Sequence, residues 1–125
     1  MAKISNEEKL KAIKDFLREN NVDFVENYHS KNYNLDMALC IKNLMIAVFL
    51  SDDDKEYEES IYTKRTKNGK RPFYTMYNPF FIRKSETKKF VLEKMQNCIV
   101  KRMMILQKRW QKEQENTQHL NNTIC

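Results

Sequence analysis

A chain of 125 residues, 41% hydrophobic and 32% charged, suffices for one domain with one modest core and excludes a second. Its formal charge of +6 is unevenly spread: residues 1–63 carry 8 Lys/Arg against 13 Asp/Glu, and residues 64–125 carry 15 against 4. This polarisation suits a basic face laid on a polyanion, and equally two halves that attract each other once folded. Cys40, Cys98 and Cys125 are far apart, with no CxxC pair and no histidine at ligand spacing, which argues against a zinc site or a disulfide framework. No window of about 18 apolar residues exists, so no membrane span is expected, and a cytoplasmic setting is the default.

In chain order, Ser5 with Glu8 forms a capping box that opens a helix, and Leu10, Ile13, Phe16 and Leu17 mark its apolar face as far as Asn20-Asn21. Three strands follow. Residues 22–28 are rich in strand formers, residues 35–41 alternate Leu35, Met37, Leu39 and Ile41 on one face, and residues 44–50 are apolar throughout, as in a strand covered on both sides. A tight turn at Lys42-Asn43 joins the last two into a meander. Asp36 then faces away from Leu35 and Met37, beside Ala38 and Cys40.

Next comes the acid-rich stretch Ser51-Asp52-Asp53-Asp54-Lys55, followed by Glu56, Glu58 and Glu59. Ser51 reads as a helix N-cap with acids in the first turn, facing the positive end of the helix dipole. A helix over 53–62 is expected, with a hairpin of 60–66 against 70–77 as the alternative, since Asn68-Gly69 is a strong turn signal. Pro79 opens a further short strand, and from Ser85 a long helix runs to residue 113, its stripe stepping through Leu92, Met95, Ile99, Met103, Leu106 and Trp110. At about 1.5 Å per residue this rod measures roughly 45 Å and must outrun the domain. Core contact is expected as far as Met103. The fold class is therefore α+β: an N-terminal helix, a three-strand antiparallel meander, a short helix or loop, a further strand and a long C-terminal helix. A single compact domain of residues 1–113, with its C-terminal helix over 85–113, precedes a disordered polar tail at 114–125.

The element order, with an Asp on the second strand, resembles the core of the PD-(D/E)xK nuclease-like superfamily over residues 7–100. The resemblance implies that Asp36, with an acidic residue and a lysine on the third strand, binds Mg²⁺ and positions the attacking water. The third strand departs from the pattern, holding Ala47 and Phe49 where those groups belong. A literal D-x-K stands beyond it at Asp53, Asp54 and Lys55, 17 residues after Asp36, making Asp36 and Asp53 the candidate metal ligands, Lys55 the water-positioning group and Glu26 a possible further acid. Counting along straight antiparallel strands brings Asp36 and Asp53 to one end of the sheet.

The basic run Lys64, Arg65, Lys67, Lys70 and Arg71 surrounds the Asn-Gly turn and leads into Phe73, Tyr74 and Tyr77. Cations there suit phosphates and aromatics suit unpaired bases, whereas a solubilising loop with core aromatics is the alternative. The last helix adds Lys101 and Arg102 among eight cations, and beyond its core contact Leu106 and Trp110 form a candidate partner seam. His29 and His119 are isolated in the sequence. The expected function is nucleic-acid binding by the basic second half, with catalysis absent or vestigial. The alternatives are an interaction module, docking an acidic protein or a second copy as a homodimer, and a Mg-dependent nuclease.

Overall fold

A computed structural model describes residues 5–124, with side chains over residues 5–113. The elements are α1 (Asn6–Glu19), β1 (Val25–Ser30), β2 (Leu35–Ile41), a 3₁₀ turn (Lys42–Leu44), β3 (Ile46–Ser51), α2 (Lys55–Tyr62), the one-turn helix α3 (Phe73–Met76), β4 (Asn78–Arg83) and α4 (Lys88–Ile124). They match the expected α+β order. The tail expected at 114–125 lies outside the described side chains.

The four strands stand in the order β1-β2-β3-β4, with β4 parallel to β3 and the other pairs antiparallel. A parallel partner cannot be reached by a hairpin, so the chain from Asp52 to Tyr77 crosses over, carrying α2, the basic loop and α3 with it. β3 is the central strand and is buried on both faces. Ile46 and Val48 join Phe80 and Ile82 under α1 and α4, where Ile13, Leu17, Val91 and Met95 complete one core. Ala47 and Phe49 face the other way with Phe81, under Ile61 of α2 and Phe73 of α3. This period-two division keeps the apolar run of residues 46–50 helix-covered on both sides.

The β1-β2 hairpin departs from the single-faced reading of residues 35–41. Leu39 and Ile41 pack under α1 and α4, but Leu35, Met37 and Cys40 pack on the α2/α3 side. Asn27 adopts a left-handed φ of 49° between the pairs Glu26↔Leu39 and Tyr28↔Met37, and the strands change face there. β2 leaves β3 after Leu39↔Val48, and the hairpin carries Tyr33 onto Phe73, edge to face at 5.2 Å. Asp36 travels with this curled hairpin, and Cys40 does not share its face as expected.

The crossover realises the expected helix and not the alternative hairpin of 60–66 against 70–77, since residues 60–62 lie in α2 and 73–76 in α3. α2 is a helix, and beyond it Arg65 bridges Pro72 while Thr66 N donates to Arg71 O and Gly69 N to Thr66 O, closing a small hairpin at Asn68-Gly69. Gly69 holds φ 71°, which an L side chain adopts only at a cost. Core contact on α4 ends at Ile99, earlier than expected: Met103 is 56% exposed. Among the described residues no helix is long and apolar enough to cross a membrane.

Candidate nucleic-acid interface

The acid-rich stretch lies where the parallel strands β3 and β4 end, and Ser51, Asp53, Asp54 and Glu58 are engaged in building that end. Ser51 does not cap α2 because it belongs to β3, aligned with Arg83 of β4. The cap is Asp54, whose Oδ1 accepts from Tyr57 N at 3.2 Å. Asp53, at a left-handed φ of 64°, accepts from Ser85 Oγ at 2.7 Å and Ser85 N at 3.0 Å, tying the start of β4's exit loop to β3. Lys55 is exposed on the first turn of α2. Asp36 is 89% exposed and meets His29 Nδ1 at 2.6 Å across the β1-β2 ladder, so the histidine that looks isolated in sequence has a carboxylate partner. The straight-strand count required β2 to pair with β3 along its whole length, and that pairing stops at Leu39. Glu26 pairs with Lys14, whose ammonium holds the carboxyl below the usual glutamate range. Among the described residues no three His, Cys, Asp or Glu stand close enough to hold a metal ion.

The buried polar network at this end was not foreseen. Glu58 accepts from Arg83 Nη2 at 2.7 Å and Nε at 3.1 Å, and from Ser51 Oγ at 2.7 Å. The Arg83 guanidinium, helped by Ser51, outweighs burial and lowers the Glu58 pKa. Glu86 accepts from Arg83 N and Lys94 Nζ, and Lys94 also donates to Phe81 O. Lys9, fully buried, donates to Arg83 O at 2.8 Å and Lys84 O at 3.3 Å. Its signal was present: Lys9 stands four residues before Ile13 and eight before Leu17, on α1's buried stripe.

The opposite end of the same strands is basic and aromatic. Met45 and Asn78, which precede β3 and open β4, are joined by an Asn78 N to Met45 O bond of 2.7 Å. A cleft of about 210 Å³ opens beside them, lined also by Tyr74 and Met76 of α3 and by Arg102, Leu106 and Arg109 of α4. Arg102 Nε donates to Leu44 O at 2.8 Å, so the 3₁₀ turn fixes this guanidinium. Arg71 reaches the same corner, its Nη1 3.7 Å from Met76 Sδ. Tyr74 and Arg102 come from two separate sequence constellations and meet here; Met45 and Arg109 join them from positions that sequence reasoning did not single out.

The aromatics of this segment divide. Phe73 and Tyr77 stack on each other at 5.0 Å and pack with Tyr33 and Phe49, whereas Tyr74 is 56% exposed. Burial raises the pKa of both Tyr33 and Tyr77. Lys101 lies on the other flank of α4, in a wider groove of about 540 Å³ along the free edge of β4. Leu106 is half-buried at the cleft and Trp110, at 60%, is exposed. Compared with protein-family models, curated proteins and solved structures, the chain matches none.

Proposed function

We propose that this chain is a non-catalytic nucleic-acid-binding domain, whose contact surface is the basic loop 64–71, Tyr74 and the cationic side of α4. The observation that carries this reading is that the cations of the second half are not used up by folding. Among the described residues, ion pairs join Lys14 to Glu26, Arg18 to Asp15, His29 to Asp36, Arg83 to Glu58 and Glu86, and Lys94 to Glu86. None involves Lys64, Arg65, Lys67, Lys70, Arg71, Lys101, Arg102, Lys108, Arg109 or Lys112. Among the described residues only the Arg83–Glu58 ion pair links the two halves, so ion pairing between acidic and basic segments accounts for little of the charge asymmetry. A high local density of unpaired cations attracts a phosphate backbone and gains from the counterions that binding releases.

The test is fluorescence anisotropy with a labelled oligonucleotide at several KCl concentrations. Contact through the five loop cations alone gives a log–log slope of about −4, and a salt-independent affinity overturns the reading. A second reading is favoured by the exposed apolar side chains Val100, Met103, Met104 and Trp110 on α4, which suit an acidic protein partner or a second copy. Sedimentation velocity across a range of protein concentrations tests its self-associating form; an unchanging monomer removes that form.

A further inference from the structure

Resting on the nucleic-acid reading, we infer that the cleft at the N-terminal ends of β3 and β4 receives one unpaired base, and that single-stranded nucleic acid is the preferred substrate class. At about 210 Å³ the cleft is smaller than the roughly 300 Å³ at which pockets for cofactor-sized ligands begin, and its scale is that of one flat ring. Its walls suit such a ring. Tyr74 presents a half-exposed aromatic face that makes no ring or cation contact among the described residues, while its neighbours Phe73 and Tyr77 are spent on the core. Leu106 and Met45 supply apolar surface to the same cleft.

The cations are placed to hold the backbone on either side of that base. Arg102 and Arg109 stand two turns apart on one face of α4, about 10 Å along its axis, with Leu106 between them. Arg102 is committed through Nε to Leu44 O, which leaves its terminal nitrogens without a protein acceptor among the described residues. The turn that supplies this carbonyl is tied to β4: Met45 holds a left-handed φ of 55° and accepts from Asn78 N at 2.7 Å. A duplex keeps its bases stacked and offers only phosphates and groove edges, for which a narrow cleft with an aromatic wall has no use. A single strand can turn one base into it.

The experiment compares fluorescein-labelled oligothymidylate with the same strand annealed to oligoadenylate, for the native chain, Tyr74→Ala, Tyr74→Phe and Arg109→Gln. The single strand binds at least about 10-fold more tightly, Tyr74→Ala loses about 5- to 150-fold on the single strand and little on the duplex, and Tyr74→Phe retains the preference. Arg109→Gln weakens both and flattens the salt slope by about one. Equal affinity for the two forms, or equal losses on both from Tyr74→Ala, overturns the single-strand inference and leaves nucleic-acid binding standing. Binding of neither form, or binding indifferent to salt, overturns both. Tyr74 is exposed, so its replacement does not endanger the fold.

Discussion

Replacing Arg83 by Met keeps the apolar stem of the side chain and removes the guanidinium from Glu58. The carboxylate, 10% exposed in the native chain, is then left with one hydrogen bond, from Ser51. Stranding a fully buried charge costs about 3 to 5 kcal/mol. The Arg83 side chain is 39% exposed, so water can enter the vacated space, and about 1.5 to 3 kcal/mol is the discounted expectation. In a domain of this size that lowers Tm by roughly 6 to 12 °C. Glu58→Gln keeps shape and acceptor but loses charge assistance, and costs less, about 1 to 2 kcal/mol. The pH dependence follows from the direction of the shift. Glu58 has a lowered pKa when folded, so its contribution is complete above the ordinary glutamate pKa near 4.3 and is lost as pH falls through the lower folded value. Urea denaturation at pH 7 and pH 3 measures both effects. The gap between the native chain and Glu58→Gln narrows at the lower pH. A gap unchanged by pH, or an Arg83→Met cost below about 0.5 kcal/mol at pH 7, refutes the network as a stabilising element.

Three further outcomes are expected. Asp54→Ala removes the α2 cap and costs about 1 kcal/mol by urea denaturation, whereas Ser51→Ala acts through Glu58 and leaves helix initiation alone. Lys67→Ala with Lys70→Ala reduces the log–log salt slope of oligonucleotide binding by about 2, with no change in Tm, because both side chains are exposed and unpaired among the described residues. Incubation of labelled DNA or RNA with Mg²⁺ or Mn²⁺ gives no cleavage that Asp36→Ala or Lys55→Ala abolishes, and cleavage lost with both would restore the nuclease alternative.

The features legible in the sequence are those decided within one element. The Ser5 cap, bonded by Glu8 N, and the turn at Asn68-Gly69 follow from local spacing and are found, and the strand expected over 44–50 is found from Ile46 onward, with Leu44 in the 3₁₀ turn and Met45 capping it. What was missed depends on partners distant in the chain. Ser51 reads as a cap until β4 arrives beside it in parallel and draws it into the strand. Met37 and Leu39 alternate on one face until a left-handed Asn27 on the neighbouring strand separates them. α3 is a single turn, too short for periodicity to tell the exposed Tyr74 from the buried Phe73. Helix α4 plainly had to outrun the sheet, but where contact ends depends on where the sheet ends, and that places Met103 in solvent. The cleft itself joins residues 45, 74, 102 and 109, which no local pattern connects.

The polarisation of charge along the sequence becomes a polarisation along the strands. β3 runs from the cleft at Met45 to the acids at Asp52–Asp54, six strand residues or about 20 Å away. That distance exceeds two Debye lengths at physiological ionic strength, so the acids do little to neutralise the cations at the other end. The crossover produces this separation. It starts at the acidic end with α2, passes through the basic loop, and delivers α3 and Asn78 to the start of β4, where α4 adds Arg102 and Arg109. Three of the acids are engaged locally, Asp54 in a cap, Asp53 on Ser85 and Glu58 on Arg83, as bonds that close the carboxyl end of the parallel pair. At the basic end Arg102 bonds the Leu44 carbonyl, and no ion pair joins its cations to a carboxylate among the described residues. Arg102 and Arg109 line the cleft with the exposed Tyr74, and a net charge of +6 therefore understates the local density of positive charge there.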